Sequence, residues 1–126
     1  MSWLPGLVLG MLFLPAAQAA SPPAVQAEVG HLLTFVEKSG CEFYRNGSWH
    51  DSAAAAAHLR YKYDYLAARD QIDTTDDFIA KAATKSSMSG RAYKVRCSGR
   101  PELTSRQWLQ DALARYRSNG KSDPAH

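Results

Sequence analysis

The chain holds two cysteines, Cys41 and Cys97, and each ends a short run in which side chains alternate in character. In Cys41-Glu42-Phe43-Tyr44, a strand puts Cys41 and Phe43 on one face and Glu42 and Tyr44 on the other. In Tyr93-Lys94-Val95-Arg96-Cys97, it puts Tyr93, Val95 and Cys97 together, opposite Lys94 and Arg96. Pairing the runs antiparallel, with Cys41 facing Cys97, sets Phe43 against Val95 and Glu42 against Arg96. Apolar then meets apolar, and acid meets base. A disulfide closing so long a loop contributes about 4 kcal/mol by loop-closure entropy. Whole domains are stable by only about 5–15 kcal/mol. A reactive dithiol would favour CxxC spacing, which is absent.

A disulfide needs an oxidising compartment, and the N terminus points to one. Leu4 to Pro15, LPGLVLGMLFLP, is apolar but shorter than the roughly 20 residues that span a bilayer. Ala17-Gln18-Ala19 then gives the small-x-small pattern of signal cleavage. Residues 1–19 are therefore expected to be a cleaved signal peptide, and the mature protein to be periplasmic. Residues 20–23 form a short tail. No later apolar run approaches membrane length, so no transmembrane segment is expected after cleavage. About 107 residues remain, enough for one domain with one modest core. The net charge is +3, with acids and bases interspersed. That mixture argues against a nucleic-acid surface, so no nucleic-acid partner is expected.

Periodicity places the other elements. Val25, Val29, Leu32, Leu33 and Val36 recur at helical spacing, and Gly40 follows, which predicts a helix over about 24–38. Strands at about 41–45 and 48–50 flank the hairpin signal Asn46-Gly47. Asp51 caps an alanine-rich helix over about 52–69, with Leu59, Tyr63 and Leu66 as its stripe. A third helix, about 75–84, buries Phe78, Ile79, Ala82 and Ala83. The third strand covers about 92–97. Ser105 caps a last helix over about 106–117, with Trp108, Leu109, Ala112, Leu113 and Tyr116 inward. A polar tail follows over 119–126. The order α-β-β-α-α-β-α implies an α+β domain over 24–118, a three-stranded antiparallel sheet with about four helices on one face.

Four segments carry a family resemblance: SGCEFYRNG (39–47), AAAHLRYKYDY (55–65), DDFIAKAATKSSMSGRAYKVRC (76–97) and WLQDALARYR (108–117). Together they resemble the YfeK-like family of small bacterial secreted or periplasmic proteins, a domain of unknown function. The likeness covers about 28–117. It rests on Gly40-Cys41 before the Arg45-Asn46-Gly47 turn, on His58, Leu59, Lys62 and Tyr63, and on the serine loop that leads to Tyr93 and Cys97. Thr84 stands where the family often has serine. The resemblance implies the fold, the disulfide and the address, and it supplies no activity.

Three constellations are candidate sites. Ser86, Ser87 and Ser89, with Gly90, form a cradle for a polar or anionic ligand or a loop bonded to its own backbone. The loop follows a helix C-terminus, the wrong dipole end for an anion, with Lys85 and Arg91 as offsets. His58 and Lys62 are four apart and share one helix face. Beside the serine loop and Tyr93 they are candidate binding residues, or bases for a serine nucleophile. Neither G-x-S-x-G nor S-x-x-K is present. Tyr44 and Trp49, with Arg45 and Arg96, are a candidate interface for a glycan or protein. The histidines 31, 50, 58 and 126 show no metal-ligand spacing, so neither metal nor cofactor is expected. The expectation is a non-enzymatic binding module with an unidentified envelope ligand or protein as partner. The alternative is a small hydrolase using a serine of 86–89 with His58 or Lys62 as base.

Overall fold

The computed structural model describes residues 20–122. The expected signal peptide and the last four residues lie outside them. Eight elements follow in order: α1 (Pro23–Lys38), β1 (Glu42–Arg45), β2 (Ser48–His50), α2 (Ser52–Ala67), α3 (Thr75–Ala82), β3 (Lys94–Arg96), β4 (Leu103–Thr104) and α4 (Ser105–Ser122). The domain is α+β, with one antiparallel sheet of order β2-β1-β3-β4.

The pairing of β1 with β3 matches the alternation. Glu42 lies opposite Arg96 and Phe43 opposite Val95. Arg96 Nε donates to Glu42 Oε1 at 3.0 Å on the outer face. The Cys41–Cys97 disulfide closes the end of this ladder, with Cα atoms 4.5 Å apart. The Asn46-Gly47 turn has both residues at positive φ (51° and 89°), as a tight hairpin requires.

Two expectations about element number and length change. The sheet has four strands, not three. The two-residue β4 pairs Val95 with Leu103 and Lys94 with Thr104. It follows Gly99 and Pro101 and is too short to show alternation. The last helix runs to Ser122, beyond the expected 117. Tyr116 is not inward: it lies 37% exposed and stacks on His31 with ring centroids 4.0 Å apart.

α1 crosses the other three helices, and its buried stripe is the expected one: Val25, Val29, Leu32, Leu33 and Val36. Phe78, Ile79, Leu109 and the inward faces of Phe43 and Val95 complete the core. Trp108 seals its sheet end, stacked on Phe35 at 4.6 Å and edge-on to Phe43 at 5.4 Å. Local caps set the helix starts. The Asp51 carboxylate accepts from Ala54 N at 2.8 Å. Thr74 and Asp77 form a reciprocal capping box for α3. Ser52 Oγ donates to the Cys41 carbonyl at 3.0 Å, tying the start of α2 to the disulfide.

Glu28 joins three helices. It accepts two hydrogen bonds from the Arg117 guanidinium, at 2.7 and 2.9 Å, and one from Thr75 Oγ1 at 2.5 Å. The Arg117 bonds, joined by the Thr75 bond, hold its carboxyl down to about 2 against burial, which raises it. A depressed carboxyl stabilises the fold above its unfolded value and loses that contribution as pH falls through its folded value. Glu28→Gln is therefore expected to cost about 1–2 kcal/mol at pH 7, discounted because Arg117 is half exposed. Thermal melts across pH should show that gap closing as pH falls from 4.5 toward about 2.

Candidate functional site

The pleat and helix periodicity bring one set of side chains together between α2 and the 85–92 loop. His58, Tyr61, Lys62 and Tyr65 follow the i, i+3, i+4, i+7 spacing that makes one stripe of α2. Arg45 and Asn46 come from the end of β1 and the turn after it. Tyr93 precedes β3, and Ser86, Ser87 and Met88 come from the loop. With Leu66 and Lys81 these residues line an open groove of about 540 Å³. Ligand pockets commonly run about 300–1,000 Å³.

Tyr93 is the hub of this groove. Lys62 Nζ donates to its hydroxyl oxygen at 3.1 Å and to the Lys85 carbonyl at 3.2 Å. His58 Nε2 lies 3.2 Å from the same oxygen. The ammonium can only donate, so the Tyr93 oxygen accepts from Lys62, while the His58 Nε2 contact with the same hydroxyl takes its direction from the imidazole tautomer. Lys62 also sits 5.0 Å from the Tyr93 ring centroid. Burial, then the charges of Arg45, Lys62 and His50, push His58 down to about 4, so it is neutral at pH 7. Burial, then Arg45, also lowers Lys62. Burial raises Tyr93, with Arg45 opposing.

The serine loop is largely bonded to itself. Ser86 is 3% exposed, and its Oγ accepts from the Met88 and Ser89 amides at 3.1 and 3.2 Å. Its backbone exchanges bonds with Arg91 and Gly90, and Gly90 turns the chain at φ 72°. Ser89 Oγ donates to Asn46 Oδ1 at 2.6 Å, pinning the loop to the β1–β2 turn. Thr84 Oγ1 donates to the Ile79 carbonyl at 2.7 Å, and α3 ends at Ala82, two residues before the expected 84. Ser86 and Ser87 line the groove; Ser89 and Gly90 shape the loop behind it.

The outer sheet face is separate. Tyr44 and Trp49 meet edge to face at 5.4 Å. Arg96 lies 3.8 Å over the Trp49 ring, and Lys94 lies 5.2 Å over Tyr44. Glu42 and Glu102 pair with those same cations. Cations therefore already sit over these two rings. Arg45, expected with Tyr44 and Trp49, lines the groove with His58 and Lys62, because alternation along β1 puts it on the side of Phe43. Among the described residues no group of three His, Cys, Asp or Glu is arranged to hold a metal ion, and no helix is long and apolar enough to cross a membrane.

Sequence reasoning missed Lys81 and Met88 as groove residues. Tyr61 and Tyr65 are also absent from its candidate sites. Their spacing from His58 and Lys62 is the signal that would have found them. Lys81 reaches the groove from α3, and no local pattern reveals that.

An α+β domain with a cationic, aromatic-rimmed groove is thus the class that fold and site define. The model of a family described as "Family of unknown function (DUF5329)" matches residues 23–117, and the chain belongs to that family. It is also 33% identical over 87 residues to "Uncharacterized protein YfeK" of Salmonella typhimurium, covering 68% of this chain and 71% of that protein. No solved structure matches.

Two measurements check the site. Ser86→Ala leaves two loop amides without their acceptor and is expected to cost about 1–2 kcal/mol. Ser87→Ala should stay within about 0.5 kcal/mol, and thermal unfolding compares the two. In an NMR titration the His58 ring should have its midpoint near 4 rather than 6.5. Lys62→Met should raise that midpoint only partly, because burial is the first cause.

Proposed function

We propose that this protein is a non-enzymatic binding module of the bacterial cell envelope, and that the groove between α2 and the 85–92 loop is its ligand site. The observation that carries this is the convergence of Arg45, Lys62, His58 and Tyr93 in one open groove, with Lys62 half-buried away from any carboxylate. A half-buried cation with no counter-ion costs stability. A fold that keeps one at a concave surface is suited to a ligand. The disulfide and the N-terminal segment support a periplasmic address. A serine hydrolase would need an Oγ on His58 Nε2 or Lys62 Nζ. Those atoms meet the Tyr93 hydroxyl instead, and Ser86 Oγ and Ser89 Oγ are used within the loop and turn.

Ligand-observed NMR on the low-molecular-mass fraction of a periplasmic extract tests this. Compounds that bind the oxidised protein should lose their signal with Ser87→Trp, which fills the groove from an exposed position. Retention of none by either protein would overturn the reading. Ester hydrolysis that vanishes in Ser87→Ala would move the assignment to the hydrolase. N-terminal sequencing of the protein from osmotic-shock fluid should begin at Ala20; recovery only from the cytoplasm would remove the envelope address.

A further inference from the structure

We propose that the groove takes an amphipathic organic anion, its acidic head on Arg45 and Lys62 and its aromatic or apolar body along Tyr61, Tyr65 and Met88. This rests on the reading of the groove as a ligand site and adds the chemical class. The first observation is the charge inventory. Arg45, Lys62 and Lys81 line the groove, and no Asp or Glu does. Acids on the neighbouring elements lie elsewhere. Asp64 lies near Arg60, Glu42 bonds Arg96 on the outer sheet face, and Asp76 and Asp77 sit in the first turn of α3. Among the described residues Arg45 has neither an ion pair nor a side-chain hydrogen bond. Lys81 is already committed to the Gln71 carbonyl at 2.9 Å.

The second observation is independent of charge. Four large hydrophobic side chains are strongly exposed among the described residues: Met88 at 93%, Tyr61 at 69%, Tyr65 at 49% and Tyr116 at 37%. The first three all line this groove. Exposed apolar side chains gathered at one concave site mark a binding surface. Cations at the inner wall and apolar groups at the rim are complementary to a molecule with one charged end.

Donor counting sorts the roles. Lys62 uses two of its three N–H bonds on the Lys85 carbonyl and Tyr93, so one remains for the head group. Arg45 offers its guanidinium fork, which suits a carboxylate or a phosphate in two-point contact. Tyr93 is engaged by both Lys62 and His58 and so holds Lys62 in place. Tyr93 and His58 are positioning residues. A bound anion also relieves the repulsion between Arg45 and Lys62.

The test uses four probes on the oxidised protein, followed by NMR at His58, Lys62 and Tyr93. They are phenylacetate, phenyl phosphate, the neutral 2-phenylethanol and inorganic phosphate. Phenylacetate or phenyl phosphate should give saturable shifts that weaken with added salt, and whichever binds more tightly identifies the head group. The neutral probe and inorganic phosphate should each bind at least about tenfold more weakly. Arg45→Met and Lys62→Met should each weaken the aryl anions by about tenfold or more while the circular dichroism spectrum stays unchanged. Equal binding of 2-phenylethanol would overturn the charge assignment. Equal binding of inorganic phosphate would overturn the apolar one. If neither aryl anion binds while extract compounds still do, this inference falls and the binding module stands. If nothing binds, both fall.

Discussion

The pairing of β1 with β3, clamped by Cys41–Cys97, is the contact on which the rest of the structure depends. It joins segments 56 residues apart in sequence. Closing such a loop is entropically costly, and the covalent bond places that cost largely on the unfolded chain. From the clamp the register runs Glu42 to Arg96, Phe43 to Val95 and Tyr44 to Lys94. One more step along the ladder brings the ends of the two segments, Arg45 and Tyr93, to the groove. The same pairing thus buries Phe43 and Val95 at one end and assembles a cationic site at the other. The Ser52 bond to the Cys41 carbonyl starts α2 from the same anchor, and α2 carries His58 and Lys62 to Tyr93.

The groove concentrates two kinds of unfavourable placement. Lys62 and His58 are pushed toward their neutral forms by burial, and Arg45 adds repulsion to both. Nearby, Met88 and Tyr61 leave apolar surface in water, and Tyr65 lies half exposed under the Arg69 guanidinium at 3.5 Å. Glu28 meets Arg117, Glu42 meets Arg96, and the outer aromatics lie under cations. Local costs that cluster at one concavity are what the proposed binding role rests on. The serines are part of what shapes it. Ser86 holds the loop turn and Ser89 holds the loop against Asn46.

Much of this was readable from residues alone, for nameable reasons. Alternation in two short runs gave the sheet register, because a one-residue slip would have buried Glu42 and exposed Phe43. The stripe Val25 to Val36, the Asp51 cap and the Asn46-Gly47 turn are local signals, and each element is where they place it. β4 was missed because two residues cannot show a period. Arg45 was grouped with the wrong face although the period of two already separates it from Tyr44. Tyr116 was assigned inward by its spacing, and it stacks on His31 at the surface instead.

The sequence by itself determined the local elements, the pairing of the two cysteine-bearing strands and the residue types available to a site. Those follow from interactions within a few positions, or from one covalent and one alternating constraint that admit a single register. Only the tertiary structure decided which side chains meet. Lys62 could have faced any acid on a neighbouring helix, and the serines could have faced His58. Packing of α2 against the loop instead gave both bases to Tyr93, and the β1 register brought Arg45 beside them. Contacts between residues more than thirty positions apart depend on how helices and sheet stack, and that geometry is a property of the whole core.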